Sequence, residues 1–474
     1  MAITLFIFAI FTRIYQYIFH KDLWLDEAML AFSMFGVDFK SLFFAPLPNT
    51  QSVPLLFLVL SKIIGSAVDY SEYGLYCLPF ICGILNVILC FKIAKILFGN
   101  GIGFIVFIVL VCGSLGLLHY TTEFKQYGIE AFCGILLFYL YLKNVDVKIF
   151  IAVSVICMLA SHTGIFVAFA ILLGYLKIFP LQSFVKNNRL LLVLGIILGT
   201  LFLLYYVLYV RFQAVSNFYD YWSEWLIPLD LASIPSFLLK ILPVWSGFTP
   251  FDKGYVIPIY MIISLFGLWS LWHKNRNIFV ILMGASGIYV LLSLAQLYPF
   301  GHNGIIGGRL SLFMSIFFYV PCAFGAEFLY DTFSKKWWRV FIMICLLLLI
   351  MLSFYRNVAV IVKSRHHIQQ THSFITQISK ESAESSGCIF VYEATKHAFL
   401  YYSYIDKLNL PFYVFGRDLD EFKNHLESLH CDKTWILASH YPQGFADDLM
   451  AKLSDKNIKV EYAKTGWETI LGRF

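Results

Sequence analysis

The fold is decided at the start of the chain, in "MAITLFIFAIFTRIYQYIFHKDLWLDEAML", residues 1–30. Its first part is almost wholly apolar and long enough for one helix to cross the hydrocarbon core of a bilayer. It has neither a basic leader nor a small-residue cleavage site, so we expect it to be retained rather than removed as a signal peptide. Three acids, Asp22, Asp26 and Glu27, follow within a short distance. A cluster of carboxylates at the end of an apolar span calls for a chemical explanation.

The composition places the whole chain in a membrane. Of 474 residues, 59% are hydrophobic, 14% are charged and 48 are Phe. Soluble domains carry about 25% charged residues. We therefore expect a polytopic α-helical membrane protein with about 11 transmembrane helices. The predicted spans lie near residues 3–20, 76–97, 101–118, 127–142, 149–161, 165–177, 190–210, 254–272, 278–296, 309–330 and 340–357.

Basic residues between the spans give the orientation. They fall in five loops, and the positive-inside bias places all five on the cytoplasmic side. The net charge of +6 is accounted for by these loops, so no nucleic-acid partner is expected. All five loops lie on the same side only if the short apolar run "VPLLFLVLSKIIGSAV", residues 53–68, lies along the outer surface and does not cross the membrane. The acid-bearing loops after the first and third spans then reach the same outer side.

The composition changes after residue 360. Short β-rich runs, "CIFVYE", "PFYVFG" and "KTWILAS", alternate with amphipathic helical patterns. This alternation predicts two domains, a transmembrane catalytic domain at 1–360 and a small extracytoplasmic α/β domain with a largely parallel sheet at 361–474. No nucleotide-binding glycine motif occurs in the second domain. We expect Cys388 and Cys431 to be buried thiols, with a disulfide as the alternative in an oxidising compartment.

Four motifs carry a family resemblance. "LWLDEA", "SEYGLYCLPF", "HYTTEFKQYG" and "YPFGHNGIIGGRLSLFM" occur in order over about residues 5–330. Together they resemble the GT-C membrane glycosyltransferases, in the branch of the protein O-mannosyltransferases and the aminoarabinose lipid A transferases. Arg13 also lies where that branch commonly has an Arg in its first span. Two departures stand out: Lys125 and Gln126 replace the usual Arg and Pro, and "QSVPLL" replaces an acidic or His residue followed by Pro-Pro-Leu.

The resemblance implies a multi-pass enzyme of a bacterial or archaeal cytoplasmic membrane. It implies hexosyl or pentosyl transfer, with inversion, from a polyprenyl-phosphate sugar to the hydroxyl of a glycan, lipid or protein acceptor at the outer face. The leaving phosphate is already charged, so the reaction needs one base to activate the acceptor rather than an acid. Asp26 matches the catalytic aspartate of the family and is the expected base.

The remaining candidate residues follow from the same chemistry. Lys125 and Arg309 are the cations expected at the phosphate. In the alternative structural roles, Lys125 forms an ion pair with Glu123, and Arg309 anchors its segment at the membrane interface. Glu123 is expected to act in catalysis by positioning the acceptor or, with Asp26, by holding Mg²⁺ or Mn²⁺ through oxygen ligands. Glu27 and Tyr127 complete the expected substrate-binding set.

Other polar and aromatic residues of the outer loops have structural explanations. We expect the outward-facing His162 and His302 to be structural. Tyr219, Tyr221, Trp222 and Trp225 fit an aromatic belt better than a sugar platform.

Two other functions fit part of the pattern. A lipid-linked-oligosaccharide polymerase or ligase would use Arg-rich outer loops, which are sparse in this sequence. A polyprenyl-lipid transporter would carry polar residues at mid-bilayer and internal repeats, and neither is found in the later spans.

Overall fold

The computed structural model describes most of the chain. It leaves out residues 1, 36, 48–50, 177–183, 214–221, 246–247, 249–256, 302–305, 334–335, 368–370, 383–386, 430, 432, 442–443, 455–460, 466–468 and 474. The rest of the chain divides into two compact units. The first unit comprises residues 1–18, 39–61 and 76–360, and the second comprises residues 19–38, 62–75 and 361–474.

Apolar helices build the first unit, and each predicted span overlaps one or two helices. Its helices include Ala2–Ile18, Phe39–Phe44, Ile102–Gly113, Leu115–His119, Tyr127–Leu142, Val147–Ala160, Gly164–Tyr175, Phe184–Tyr205, Arg211–Gln213, Ile234–Trp245, Ile257–Lys274, Arg276–Leu294 and Ser315–Thr332. Two more helices lie mostly in this unit: Glu72–Phe98, whose first four residues belong to the second unit, and Lys336–His367, whose last seven do. Among the described residues, five helices are long and apolar enough to span a membrane, or six if Ile102–Gly113 and the bent segment after it form one span. The chain is thus a membrane protein, and the count of eleven spans stays a prediction.

Two glycines allow a close contact between two helices of the first unit. A Cβ added at Gly267 would lie 1.8 Å from the carbonyl oxygen of Pro321, and one added at Gly325 would lie 1.9 Å from that of Ile263. The helices Ile257–Lys274 and Ser315–Thr332 therefore meet backbone to backbone. Such contacts are typical of packing within membranes, where helices associate by close van der Waals contact.

The run at residues 53–68 forms the helix Leu55–Ala67, with 13 residues. At 1.5 Å per residue it is about 20 Å long, which is shorter than the roughly 30 Å hydrocarbon core. Its length fits an interfacial helix, and its side of the membrane stays a prediction.

A five-stranded sheet forms the centre of the second unit. Its strands are β1 (Gly387–Tyr392), β2 (Tyr413–Phe415), β3 (Lys433–Ser439), β4 (Glu461–Thr465) and β5 (Thr469–Arg473), in the order β2-β1-β3-β5-β4. The three predicted runs form β1, β2 and β3, which pair in parallel. The last two strands form a hairpin that joins β3 in antiparallel fashion, so the sheet is mixed.

Several helices accompany this sheet in the second unit. The helices of the second unit include Leu25–Phe35, Thr371–Ser382, Lys396–Ile405, Leu419–Ser428 and Phe445–Ser454. Phe390, Tyr392 and Ile436 of the sheet pack with Phe422 and Leu449 of the helices in one buried cluster. The side chain of Asp418 caps Leu419–Ser428 by accepting the N–H groups of Asp420 and Glu421.

The expectation of two buried thiols at Cys388 and Cys431 is wrong. The two residues form a disulfide, with their Cα atoms 5.9 Å apart. Because β1 and β3 are paired with Cys388 opposite Thr434, the loop before β3 brings Cys431 to the start of β1. Strand register, which the spacing of cysteines does not reveal, thus determines the pairing.

Candidate functional site

The second-loop motif "HYTTEFKQYG" folds into a compact turn between two helices of the first unit. His119 ends the helix Leu115–His119, and a 3₁₀ turn, Tyr120–Thr122, follows it. The next helix begins at Tyr127. A Cβ at Gly128 would lie 2.6 Å from the carbonyl oxygen of Tyr120, so the close return of the chain needs glycine there.

Glu123 lies at the centre of this turn and is fully buried. Its Oε2 is 2.6 Å from Nε2 of His119, four residues earlier. A buried carboxylate requires a partner to offset the loss of hydration. His119 was not predicted as a site residue, although its i,i+4 spacing from Glu123 was a usable signal.

Lys125 is buried, lies two residues after Glu123 and contacts a different loop. Its backbone N–H bonds to the carbonyl oxygen of Glu123 at 2.7 Å, and its ammonium donates to Oε1 of Gln51. Gln126 donates to the carbonyl oxygen of Ser52. The two departures from the family pattern, at Lys125–Gln126 and at "QSVPLL", are therefore in contact with each other.

The loop that receives Lys125 is itself anchored. Val53 donates its N–H to Oε1 of Gln213 at 2.8 Å, and its carbonyl oxygen accepts from the hydroxyl of Tyr209 at 3.0 Å. These bonds fix the backbone beside Gln51, so the partner of the Lys125 ammonium is held in place.

Arg309 is buried between aromatic rings. Its guanidinium carbon lies 5.6 Å from the ring centre of Tyr127 and 5.7 Å from that of Trp222. Only 5% of the residue is exposed. The contacts have the geometry of cation–π interactions, which hold a guanidinium without neutralising its charge. Since Tyr127 is two residues from Lys125, the structure brings Lys125, Tyr127 and Arg309 into one region.

A second buried acid lies in the helix that follows the turn. Glu130 is almost fully buried and accepts a hydrogen bond from the backbone N–H of His162. Its Oε2 and the Nε2 of His162 have no hydrogen-bond partner among the described residues. Burial lowers the pKa of His162 to about 4, so its ring is neutral near pH 7. Glu130 was not predicted as a site residue, although an acid inside an apolar helix is a signal for one.

The two acids of the first-loop motif belong to the second unit. Asp26 is half-buried in the first turn of the helix Leu25–Phe35, where the helix dipole favours a negative charge. Glu27 is fully buried, accepts the N–H of Trp24 at 3.2 Å and lies 3.7 Å from Nζ of Lys21. A glutamate that bonds back to the N-cap residue forms half of a capping box. Glu27 thus stabilises the helix start that carries Asp26.

A cluster of three metal-ligating side chains lies in the same unit. Asp22, Glu72 and His372 each place one ligand atom within 4.8 Å of the other two. Burial, with the charge of Glu72 beside it, raises the pKa of Asp22 to about 7. Positions 22, 72 and 372 are too far apart in the chain for spacing to reveal the cluster.

The remaining aromatic and histidine candidates divide into two groups. Tyr219, Tyr221 and His302 lie outside the described residues. Trp222 contacts Arg309, and the ring of Trp225 is 4.1 Å from Nζ of Lys240. Both tryptophans are therefore in contact with cations.

Comparison with known proteins finds solved structures with a similar fold. No protein-family model matches the sequence, and no curated protein matches it. Two crystal structures of ArnT from Cupriavidus metallidurans are similar to this chain at 12% sequence identity. The apo structure aligns with a TM-score of 0.53 over 98% of this chain and 97% of ArnT. The structure bound to undecaprenyl phosphate aligns with a TM-score of 0.57 over 99% of this chain and 97% of ArnT. The likeness confirms the expected GT-C-like fold, while the number of spans and the location of the second unit stay predictions.

Proposed function

We propose that this chain is a membrane glycosyltransferase that moves a hexose or pentose from a polyprenyl-phosphate donor to an acceptor hydroxyl. The observation that carries the proposal is the likeness to ArnT over nearly the whole chain, including a structure of ArnT bound to undecaprenyl phosphate. The four ordered motifs of the sequence support the same assignment.

The donor phosphate binds at Lys125 and Arg309. Two buried cations beside an acid are costly in a membrane protein unless an anion or a dipole compensates them. Gln51 accepts a hydrogen bond from the Lys125 ammonium, and the rings of Tyr127 and Trp222 lie beside the Arg309 guanidinium, so uncharged groups orient both cations. A phosphate would add charge-assisted hydrogen bonds to both cations.

Asp26 is the base in this proposal. It takes the proton of the acceptor hydroxyl, the acceptor oxygen attacks the anomeric carbon, and the bond to the phosphate oxygen breaks with inversion. The polyprenyl phosphate leaves with the electron pair, so no general acid is needed. The assignment rests on the position of Asp26 in "LWLDEA" and on its half-buried carboxylate.

The other candidates support this step. Glu123, oriented by His119, positions the acceptor, and Tyr127 supports Arg309 at the donor. Glu27 acts by fixing the start of the Asp26 helix. A shared Mg²⁺ or Mn²⁺ at Asp26 and Glu123 stays a prediction.

The reaction takes place at the outer face of the membrane. The basic loops orient the spans, and an extracytoplasmic second domain would be exposed to an oxidising compartment. The Cys388–Cys431 disulfide supports that location. A donor that is already flipped outward would meet the site directly, whereas a nucleotide sugar would remain on the cytoplasmic side.

Binding of undecaprenyl phosphate tests the donor site. Replacing Lys125 or Arg309 by Gln removes one charged bond, so we expect affinity to fall by roughly 10- to 100-fold. Arg276→Gln is the matched control, because Arg276 also lies over a tryptophan ring, at 5.1 Å, but is exposed. Native mass spectrometry of the purified protein measures the bound lipid. Unchanged affinity in the Lys125→Gln, Arg309→Gln double variant would remove these residues from the phosphate site.

A further inference from the structure

The cluster of Asp22, Glu72 and His372 has the composition of a metal centre. Two carboxylates and one imidazole converge from three separate segments of the second unit, with their ligand atoms within 4.8 Å of each other. None of the three residues is fully exposed. Two carboxylates placed this close repel each other, and a cation between them would remove the repulsion.

Neighbouring groups orient the three side chains. Oδ2 of Asp22 accepts the backbone N–H of His372 at 2.9 Å. The hydroxyl of Tyr402 accepts the N–H of Leu23 at 2.7 Å and donates to Glu72. The ring of Tyr402 also stacks on that of His372, with 4.4 Å between their centres. Each candidate ligand is thus held by a hydrogen bond or a ring contact within the second unit.

His372 has the partner that a metal-bound histidine usually has. Its Nε2 lies 2.9 Å from Oδ2 of Asp406. Metal-ligating histidines commonly donate their second ring N–H to a carboxylate, which fixes the tautomer and strengthens the other nitrogen as a ligand. Since Nε2 of His372 contacts Asp406, the proposal assigns the metal bond to Nδ1.

We propose that Asp22, Glu72 and His372 bind a divalent transition-metal ion, with Zn²⁺ the preferred ion. One imidazole with two carboxylates suits zinc, whereas magnesium and calcium favour oxygen ligands alone. Zinc bonds of about 2.1 Å in a tetrahedron put ligand atoms roughly 3.4 Å apart. The three side chains therefore need to close by about an ångström, and water supplies the fourth ligand.

The ion would tie together three parts of the second unit. Asp22 lies just after the first helix, Glu72 begins the helix Glu72–Phe98, and His372 is in the helix Thr371–Ser382. Asp22 is also four residues before Asp26. A metal at this centre would therefore fix the segment that leads into the helix Leu25–Phe35, whatever reaction the protein performs.

Metal binding by the full-length protein tests the proposal without any sugar transfer. The purified protein is stripped with EDTA, titrated separately with ZnCl₂ and MnCl₂, and desalted. Metal analysis then gives the stoichiometry, and thermal unfolding gives the shift of the midpoint. We expect about one zinc ion per chain and a higher midpoint with zinc than with EDTA. A stripped wild-type protein that takes up neither metal and shows no shift would overturn the proposal.

Variants locate the ion. His372→Ala and Glu72→Gln each remove a ligand and should weaken zinc binding by at least 10-fold. Asp406→Asn leaves all three ligands in place and should weaken zinc binding by about 10- to 100-fold, because it removes the carboxylate that orients His372. Glu421→Gln is the control, since this exposed acid in the same unit should bind zinc as wild type does. If a ligand variant fails to fold, the Asp406→Asn variant still tests the site. Equal zinc affinity in all four variants would place the ion elsewhere and contradict the assignment.

Discussion

Asp26 is the residue on which the proposed chemistry depends. Replacing it by Asn keeps the size of the side chain and removes the base, so we expect the transfer rate to fall by about 100- to 10,000-fold. Folding should be nearly unchanged, because Asp26 is only half-buried. The rate and the thermal midpoint of the purified variant measure the two effects.

Asp69 offers a matched control for that substitution. It is exposed, lies in the same unit and has a φ of 51°, which asparagine also adopts readily. Asp69→Asn should therefore leave the rate unchanged. A wild-type rate in Asp26→Asn would exclude Asp26 as the base.

Part of the candidate site could be predicted from the sequence. The motifs singled out Lys125, Tyr127 and Arg309, which the structure places in one region. The sequence did not reveal that Gln51 is the partner of Lys125, since the two residues are far apart in the chain. It also missed His119, because one histidine beside an acid is common in proteins and only the fold shows that its Nε2 lies 2.6 Å from the buried carboxylate of Glu123.

At the level of elements, the turn between the third and fourth predicted spans depends on one glycine. In Gly128→Ala the new methyl would meet the carbonyl oxygen of Tyr120, a backbone atom that cannot move without shifting the turn that carries Glu123. We expect a loss of about 1 to 3 kcal/mol in the free energy of unfolding and a lower transfer rate. Thermal unfolding in detergent and a rate assay measure both.

Gly287→Ala is the control for Gly128→Ala. Gly287 lies inside the helix Arg276–Leu294, and nothing lies within 4 Å of an added Cβ. Alanine there should leave stability unchanged or raise it by up to about 1 kcal/mol. If both variants behave alike, the close contact at Gly128 does not support the turn.

Elements were easier to predict than their pairing. Apolar runs and β-rich runs follow local periodicity, so the spans and the first three strands coincide with observed helices and strands. The hairpin of β4 and β5 was not foreseen, because "EYAKT" and "TILGR" lack a strong alternating pattern and their place depends on pairing with β3. The Cys388–Cys431 disulfide was missed for the same reason, since it depends on the register of β1 and β3.

For the whole molecule, the orientation in the membrane is the main untested prediction. We expect an impermeant maleimide to label Ser71→Cys in intact cells, because the acid-bearing loops are assigned to the outer side. Lys143→Cys, in a loop assigned to the cytoplasm, should be labelled only after the membrane is opened. The wild-type protein, which has its own free cysteines, gives the background.

Labelling of Ser71→Cys from the cytoplasmic side alone would show that the helix Leu55–Ala67 crosses the bilayer. The motif that contains Asp26 and the motif that contains Glu123 would then lie on opposite sides of the membrane. Neither the proposed reaction nor the proposed metal centre would survive that result, because Glu72 directly follows Ser71 whereas Asp22 lies on the outer side with Asp26.

Turnover with a defined donor tests the central claim most directly. The purified protein is given either a synthetic undecaprenyl-phosphate sugar or a nucleotide sugar, together with cell-envelope extract as the source of acceptors, and release of the carrier is followed over time. We predict release of undecaprenyl phosphate that depends on Asp26, and no turnover of nucleotide sugars. Turnover of nucleotide sugars alone, with the lipid-linked donors untouched, would contradict the assignment as a polyprenyl-phosphate-dependent glycosyltransferase.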